Sequence, residues 1–424
     1  MASTINALAR MGAFHNGDPD EAKFFWSGDP VEVADRTWFA STFAGVTAFD
    51  TDAGLVVVDT STAVAAPTIA AGLRRQSSAP VHTAIYTHGH VDHAYGLKPY
   101  LVPDQAPPRV IAHRAAAHRF TRYVRTSAYN TAINIRQFGG AVPEHGSLGG
   151  VVFSEPAVPP NTYYDDELSI TVGGLSFELH HARGETDDAT WVWCPERRVL
   201  CPGDLFIWAV PNCGNPQKVQ RYPWDWAVAL RAMAACEPRS LCPGHGGPVV
   251  NDPAKIQRML LETADYLEYI VTQTLDALND GAPPHVDILH RVQIPSSDAP
   301  WLQPIYDEGE FIVRNLIRYF GGWWSGRPSE LKPAARRALA GEIVALAGGP
   351  AALVSRAQQQ AQQGDLRVAC HLADFALEAA PADPAVQEAV AAIYEQRAKS
   401  ETSLMAANLF ASAAAYARAG RPFR

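Results

Sequence analysis

The chain has 424 residues, 47% of them hydrophobic, which is enough for a sizeable core and too apolar for a disordered or low-complexity protein. Lys and Arg number 35 against 44 Asp and Glu, a net charge of −9, and no long basic block appears, so neither a nucleic acid nor an anionic membrane is an expected partner. Nowhere do about 18 apolar residues run together, residues 1–18 lack the features of a signal peptide, and the six cysteines contain no CxxC pair, so the reading is a cytoplasmic enzyme with buried free thiols.

In chain order, residues 37–58 alternate short β-rich runs with Gly and Asp turns, and Leu55-Val56-Val57-Val58-Asp59 reads as a buried strand ending in a carboxylate. A helix is predicted over 63–76, and an apolar strand over 81–87 empties into His88-Gly89-His90-Val91-Asp92-His93. A strand over 109–113 and a helix over 115–125 follow, then a Gly- and Pro-rich stretch over 130–160 expected to form active-site loops. The runs 168–172 and 175–181 flank Gly173-Gly174, a hairpin signal because two glycines accept the positive φ of a tight turn. Strands are predicted at 191–193, 199–201 and 240–242, with a helix over 223–236 between the last two. Two β meanders, each followed by helices, suggest two packed sheets with helices outside.

From Pro253 onward the pattern is helical: 256–279, 311–320, 335–347, 351–363, 365–378, 384–398 and 402–419. The breakers Gly348-Gly349-Pro350, Gly364 and Pro381 to Pro384 space the later helices like tetratricopeptide-type hairpin repeats. The division expected is a catalytic domain over 1–252 and an all-helical domain over 253–424.

Chemistry concentrates in His88, His90, Asp92 and His93, three imidazoles and a carboxylate at one strand end. In extended backbone residues two apart face the same way, so His88 and His90 reach one metal while a turn after Val91 sends Asp92 and His93 to a second. The isolated histidines, His15 and His113 among them, read as surface or satisfied core groups, as do His180 and His181 at the end of their strand.

The HxHxDH segment resembles the first motif of the metallo-β-lactamase superfamily. His181-Ala182-Arg183-Gly184-Glu185-Thr186, Gly203-Asp204 after a strand, and Pro243-Gly244-His245-Gly246 resemble the later motifs, in the same order. The resemblance implies an αββα sandwich of the α/β class. It also implies one metal held by His88, His90 and Glu185, another by Asp92, His93 and His245, Asp204 bridging, and Asp59 orienting the loop from behind. Most members place a histidine where Glu185 stands. That glutamate, with Arg318-Tyr319-Phe320-Gly321-Gly322-Trp323-Trp324 and the later helices, resembles the alkyl sulfatase branch and its dimerisation domain, implying a homodimer. Alkyl sulfatases usually carry glutamate where Asp204 stands, and the expected layout lacks their sterol-carrier-like third domain.

Two cations about 3.5 Å apart bring a bridging water to hydroxide near neutral pH and neutralise charge on a leaving oxygen. Asp92 and Asp204 are therefore read as catalytic, and the substrate as a small anionic ester, foremost an alkyl sulfate. Mixed N/O ligation suggests Zn²⁺, with Mn²⁺ or Fe²⁺ as alternatives. Tyr129, Asn130, Asn134 and Arg136 lie where alkyl sulfatases contact sulfate. Asn212, Lys218 and Arg221 follow the bridging acid and complete the expected substrate contacts. Trp208, Trp224, Trp226, Trp323 and Trp324 read as core residues that can also wall a cleft. Two other functions fit the same motifs: hydrolysis of a lactone, β-lactam, thioester or phosphoester on the same centre, and a metal-stabilised binding scaffold.

Overall fold

The computed structural model describes residues 28–423. The signal-peptide reading of 1–18, and His15, lie outside the described residues. One sheet runs in spatial order β1 (Val31–Ala34), β2 (Thr37–Ser41), β3 (Gly45–Thr51), β4 (Gly54–Val58), β5 (Val81–Ile85), β6 (Arg109–His113), β7 (Thr162–Tyr164). The other holds β8 (Glu167–Val172), β9 (Leu175–Ala182), β10 (Ala189–Cys194), β11 (Val199–Ile207) and β12 (Ser240–His245) in order β12-β11-β10-β9-β8.

Each expected meander holds only for its earlier strands, β1 to β4 in one sheet and β8 to β11 in the other. β1 to β4 pair antiparallel, but β4 to β7 are parallel, and β11 pairs β12 in parallel. Parallel neighbours need a crossover. It is supplied by α1 (Ala66–Arg74) between β4 and β5, by α3 (Ala115–Arg125) and α4 (Ser127–Gly139) between β6 and β7, and by α5 (Pro223–Ala235) between β11 and β12. The short α2 (Val91–Ala94) follows β5. Parallel pairing brings the carboxyl ends of β4, β5 and β6 to one edge, the place where open α/β sheets build sites.

The layers follow from side-chain alternation. Val56 and Val58 of β4 point into the core between the sheets, with Phe49, Ile85, Ile111, Phe177, Leu179 and Val192, and Phe49 meets Phe177 edge-to-face at 5.1 Å. Leu55 and Val57 point the other way, onto Ile69 and Leu73 of α1. In β10, Val192 and Cys194 face inward while Trp191 and Trp193 face out, in the core that contains Trp226 and Leu230 of α5. Burying each such side chain contributes about 1.5–3 kcal/mol. Gly173 and Gly174 have φ of 50° and 85° in the β8–β9 hairpin.

Helix α6 (Pro253–Asn279) starts on the Asp252 side-chain cap to the Lys255 N–H with proline in its first turn. It packs on α5, and its apolar face joins the same core as Trp191. Then come α7 (His285–Arg291), α8 (Gly309–Gly321), α9 (Pro328–Leu331) and the helices α10 (Arg336–Leu346), α11 (Pro350–Gln362), α12 (Leu366–Ala379), α13 (Pro384–Ser400) and α14 (Leu404–Arg418). Side-chain caps at Asp365, Asp383 and Ser403 open the last three. Helix α14 returns to the sandwich and packs on α4: Asn408 Nδ2 donates to Gln137 O at 2.7 Å and Ser412 Oγ to Ala141 O at 2.9 Å.

All six cysteines are free, four of them buried. Among the described residues no single helix is long and apolar enough to cross a membrane. Two expectations are corrected. The stretch 130–160 is helical in its first part, since α4 runs to Gly139, and only the remainder is loop. Of the tryptophans, Trp208 and Trp226 are core, whereas Trp224, Trp323 and Trp324 are exposed.

Candidate metal centre

His88 and His90 stand on the tight loop leaving β5, and His90 is the N-cap of α2, which carries Asp92 and His93. Glu185 lies between β9 and β10. Asp204 sits inside β11, which continues to Ile207 rather than ending before the acid, and His245 closes β12. The parallel register sets Gly203 opposite Pro243 and Ile207 opposite His245, so Asp204 and His245 meet from adjacent strands.

All seven residues converge. Within 4.8 Å of one another lie donor atoms of His88, His93 and Asp204, of Asp92, His93 and His245, and of His90, Glu185 and Asp204. Asp204 faces both ways. Its Oδ2 is 3.7 Å from His88 Nε2, and its Oδ1 is 3.1 Å from His93 Nε2 and 3.4 Å from His245 Nε2. Asp92 Oδ2 lies 3.5 Å from His245 Nε2 and 3.7 Å from His93 Nε2, and His90 Nδ1 is 3.6 Å from Glu185 Oε1.

Protonation follows from this crowding. Burial, then the charge of His93, lowers the His88 imidazole to about 3, and burial with His88 beside it holds His90 well below its usual range. Burial would also lower His245, but Asp204 overrides it and raises it to about 9; Asp204, Asp59 and Asp92 together raise His93. Burial would raise Asp204, yet His93 and His245 hold it well below the carboxylate range. Burial pushes Glu185 upward against the pull of Arg221.

Glu185 Oε2 is buried without a hydrogen-bond partner, and the buried His93 Nε2 and Asp204 Oδ1 face each other at 3.1 Å outside hydrogen-bond geometry, although native structures leave few such atoms. These unpartnered donors belong to a set of four imidazoles and three carboxylates, the ligand chemistry of divalent transition ions. The residues present therefore fit such ions, whose binding displaces protons from imidazoles like His93 and His245.

Two buried carboxylates brace the cluster. Asp59 accepts from the Thr87 N–H, the Thr87 hydroxyl and His93 Nδ1, each at 2.7 Å. Its φ of 57° is one that aspartate tolerates better than most residues. Asp188, which the sequence reading passed over, accepts the Gly89 N–H at 2.8 Å and pairs with Arg119 Nε at 2.9 Å, both side chains nearly inaccessible. Arg119 also binds Asp187.

Five of the seven cluster residues, His90, Asp92, Glu185, Asp204 and His245, line a cavity of about 710 Å³. Its walls include Phe43, Ile133, Phe138, Ile207 and Tyr306, and at the loop side Leu148, Val151 and Phe153. Of the expected substrate contacts, Tyr129, Asn130, Asn134, Asn212, Lys218 and Arg221 line it. Lys218 Nζ donates to Asn134 Oδ1 at 3.0 Å, and burial lowers its amine to about 7. Arg122, a cation the sequence reading did not single out, lines the same wall. Neither forms an ion pair among the described residues.

Three expected contacts turn out differently. Arg136 is absent from the wall; its guanidinium donates to the Tyr416 hydroxyl at 3.1 Å and lies over the Phe423 ring at 5.0 Å. Asn212 and Arg221 are directed at Glu185: Asn212 Nδ2 donates to Glu185 Oε1 at 2.7 Å, and Arg221 Nη1 lies 2.7 Å from the same oxygen. His180 and His181, read as structural, stack on Trp191 at 4.0 Å and on His113 at 3.7 Å.

A family model described as "Metallo-beta-lactamase superfamily" matches residues 43–245, and one described as "Alkyl sulfatase dimerisation" matches 285–420. The chain is 26% identical over 342 residues to a linear primary-alkylsulfatase of Pseudomonas sp., covering 76% of this chain and 64% of that protein. It is 24% identical over 379 residues to the alkyl/aryl-sulfatase BDS1 of Saccharomyces cerevisiae, covering 83% and 58%. It thus spans less than two thirds of the length of either. The solved structure of the stereoselective inverting sec-alkylsulfatase Pisa1 from Pseudomonas sp. superposes with a TM-score of 0.80 at 20% identity, covering 97% of this chain and 71% of that one, a likeness of fold.

Proposed function

From the match of residues 43–245 to the metallo-β-lactamase superfamily and of residues 285–420 to the alkyl sulfatase dimerisation region, we propose that the chain is a binuclear metal-dependent hydrolase of a small organic sulfate ester. One observation carries the reading. The seven-residue donor cluster opens on a partly apolar cavity in which Lys218 and Arg122 stand without a carboxylate partner, which suits an anion joined to an apolar group.

In this reading His88, His90 and Glu185 would hold one ion and Asp92, His93 and His245 the other, with Asp204 placed to serve either. Zn²⁺ suits the donors best, and Mn²⁺ or Fe²⁺ can replace it. When bound, two such ions acidify a water and neutralise charge at the departing oxygen. The chain's own groups do the rest. Lys218 and Asn134 receive the sulfate oxygens, and Arg122 adds positive charge along the same wall. Phe43, Phe138 and Ile207 line the organic group and keep solvent from it. Asp92, at 15% the most exposed of the three carboxylates, would accept the proton that the water gives up, through the oxygen it does not offer to an ion.

A homodimer fits the exposed arm that runs from the last turn of α8 into α10. Between 318 and 339 every residue is exposed except Ser325 and Gly326, which are partly so, and the arm carries Tyr319, Phe320, Trp323, Trp324, Leu331 and Leu339. Apolar surface of that extent calls for a partner, and the arm lies within the matched dimerisation region.

The test is sulfate release from short and long alkyl sulfates by metal-loaded protein, beside lactones, β-lactams, thioesters and phosphoesters. Turnover confined to one of the latter classes assigns the centre to that ester or amide. No turnover of any, at full metal content, leaves the scaffold reading in place of the enzyme.

A further inference from the structure

The groups standing behind the metal donors carry opposite signs on the two sides of Asp204. Behind the Asp92, His93 and His245 set stands an anion: Asp59 Oδ2 is 2.7 Å from His93 Nδ1, with the two side chains 4% and 0% exposed. His245 Nδ1 lies 2.7 Å from the Phe43 carbonyl oxygen. An imidazole whose far nitrogen is held by a carboxylate or carbonyl donates more strongly from its near nitrogen.

Behind the His88, His90 and Glu185 set stands a cation. Arg221 Nη1 lies 2.7 Å from Glu185 Oε1 with the side chains 3% and 6% exposed, and Asn212 Nδ2 donates to that same oxygen. Arg221 also binds the Asn212 carbonyl, so the three form one closed clamp. His88 Nδ1 has only the Thr87 hydroxyl, at 3.1 Å. Arg119 answers both the buried Asp188 and the half-exposed Asp187, so the one carboxylate in excess there lies toward solvent and offsets the buried guanidinium only weakly.

We propose that Arg221 makes the two metal positions unequal, with the ion at Asp92, His93 and His245 held tightly and the ion at His88, His90 and Glu185 exchangeable. A carboxylate whose charge is already shared with a buried guanidinium, in a region of low dielectric, has less to offer a second cation. The loosely held ion then sets the metal concentration at which the centre is complete. Asn212 and Arg221 are positioning residues for Glu185 in this assignment rather than substrate contacts. The inference rests on the binuclear reading above.

The experiment is a Zn²⁺ titration of metal-free protein against a chromophoric chelator, with calorimetry as the second readout and circular dichroism as a check on fold. Two steps are expected, separated by about tenfold or more. Arg221→Met tightens the second step and leaves the first, Arg221→Lys preserves the separation, and Asp59→Asn weakens the first. Should Arg221→Met fail to fold, Glu185→Gln carries the test, since it removes the second step and keeps the first. Two equivalents binding in one unresolved step, an unchanged separation in Arg221→Met, or loss of the first step in Glu185→Gln overturns the inequality. Fewer than two equivalents in the unaltered protein overturns the binuclear reading itself.

Discussion

Asp188 accepts the N–H of Gly89 across 99 residues of sequence, at 2.8 Å and fully buried. Gly89 sits between His88 and His90, so the segment that carries Glu185 and the loop that carries the imidazoles are fastened at one backbone atom. Arg119 neutralises the carboxylate that does this.

Arg119→Met leaves that charge buried and unpaired. It is expected to lower the unfolding free energy by about 3–5 kcal/mol, and the double variant Arg119→Met with Asp188→Asn to cost less than the single one. Denaturant titration checks both; a double variant less stable than Arg119→Met alone would contradict the bracing role.

Gly244 precedes His245 in β12, and a Cβ there would overlap Asp204 Oδ1 and the backbone of Gly203. Gly244→Ala is therefore expected to displace the Asp204 carboxylate and cut metal affinity by about 10–100-fold, the scale seen when a ligand loses its orientation. Chelator competition measures this; wild-type affinity in a folded Gly244→Ala would refute the crowding argument.

Lys218 titrates near 7 because burial disfavours its charged form. Below that pH the amine is a cation and above it neutral, so anion affinity should fall as pH rises through about 7, with a bound anion moving the midpoint upward. A sulfonate that cannot be hydrolysed reports the dissociation constant. Lys218→Met should weaken binding by about 1.5–3 kcal/mol at low pH and flatten the profile, and an undiminished slope in that variant would assign the titration elsewhere.

The aromatic arm makes an independent prediction. Trp323 is 74% and Phe320 49% exposed. If a second copy covers them, Trp323→Ser should cost the dimer about 2 kcal/mol, as for an interface anchor. Sedimentation equilibrium reads the monomer fraction, and an unchanged association constant for Trp323→Ser combined with Phe320→Ser would place the interface elsewhere.

Much of this architecture is legible in the residues. Strands β5 and β6 announce themselves as short apolar runs, Gly173 and Gly174 mark the β8–β9 hairpin, and Asp365, Asp383 and Ser403 mark helix starts with side chains that cap them. The seven candidate donors are legible because His, Asp and Glu recur at or beside strand ends, where little else needs them. Helix α4 is not, because Asn130 and Asn134 are weak helix formers and their amides bond back to Thr126 and Asn130. Its support comes from α14, nearly 300 residues away. Sheet neighbours are hidden for a related reason: alternation identifies a strand without naming its partner, so the parallel β4 to β7 order had no local sign. Nor does a count of cations say which way each points. Arg136 turned to Tyr416, Arg221 to Glu185, and Arg122 to the cavity, each by its place on the helix or loop.

The docking of α14 on α4 gives the pocket a dependence on the far end of the polypeptide. Asn408, Ser412 and Tyr416 hold the backbone and flank of the helix that presents Asn130 and Asn134, while the donors of the ion cluster are anchored in the sandwich. If the cluster holds ions and the pocket takes an ester as proposed, a protein cut short before Leu404 would keep its grip on ions yet lose the firmness of the surface that tells one ester from another, so ion retention and discrimination would come apart.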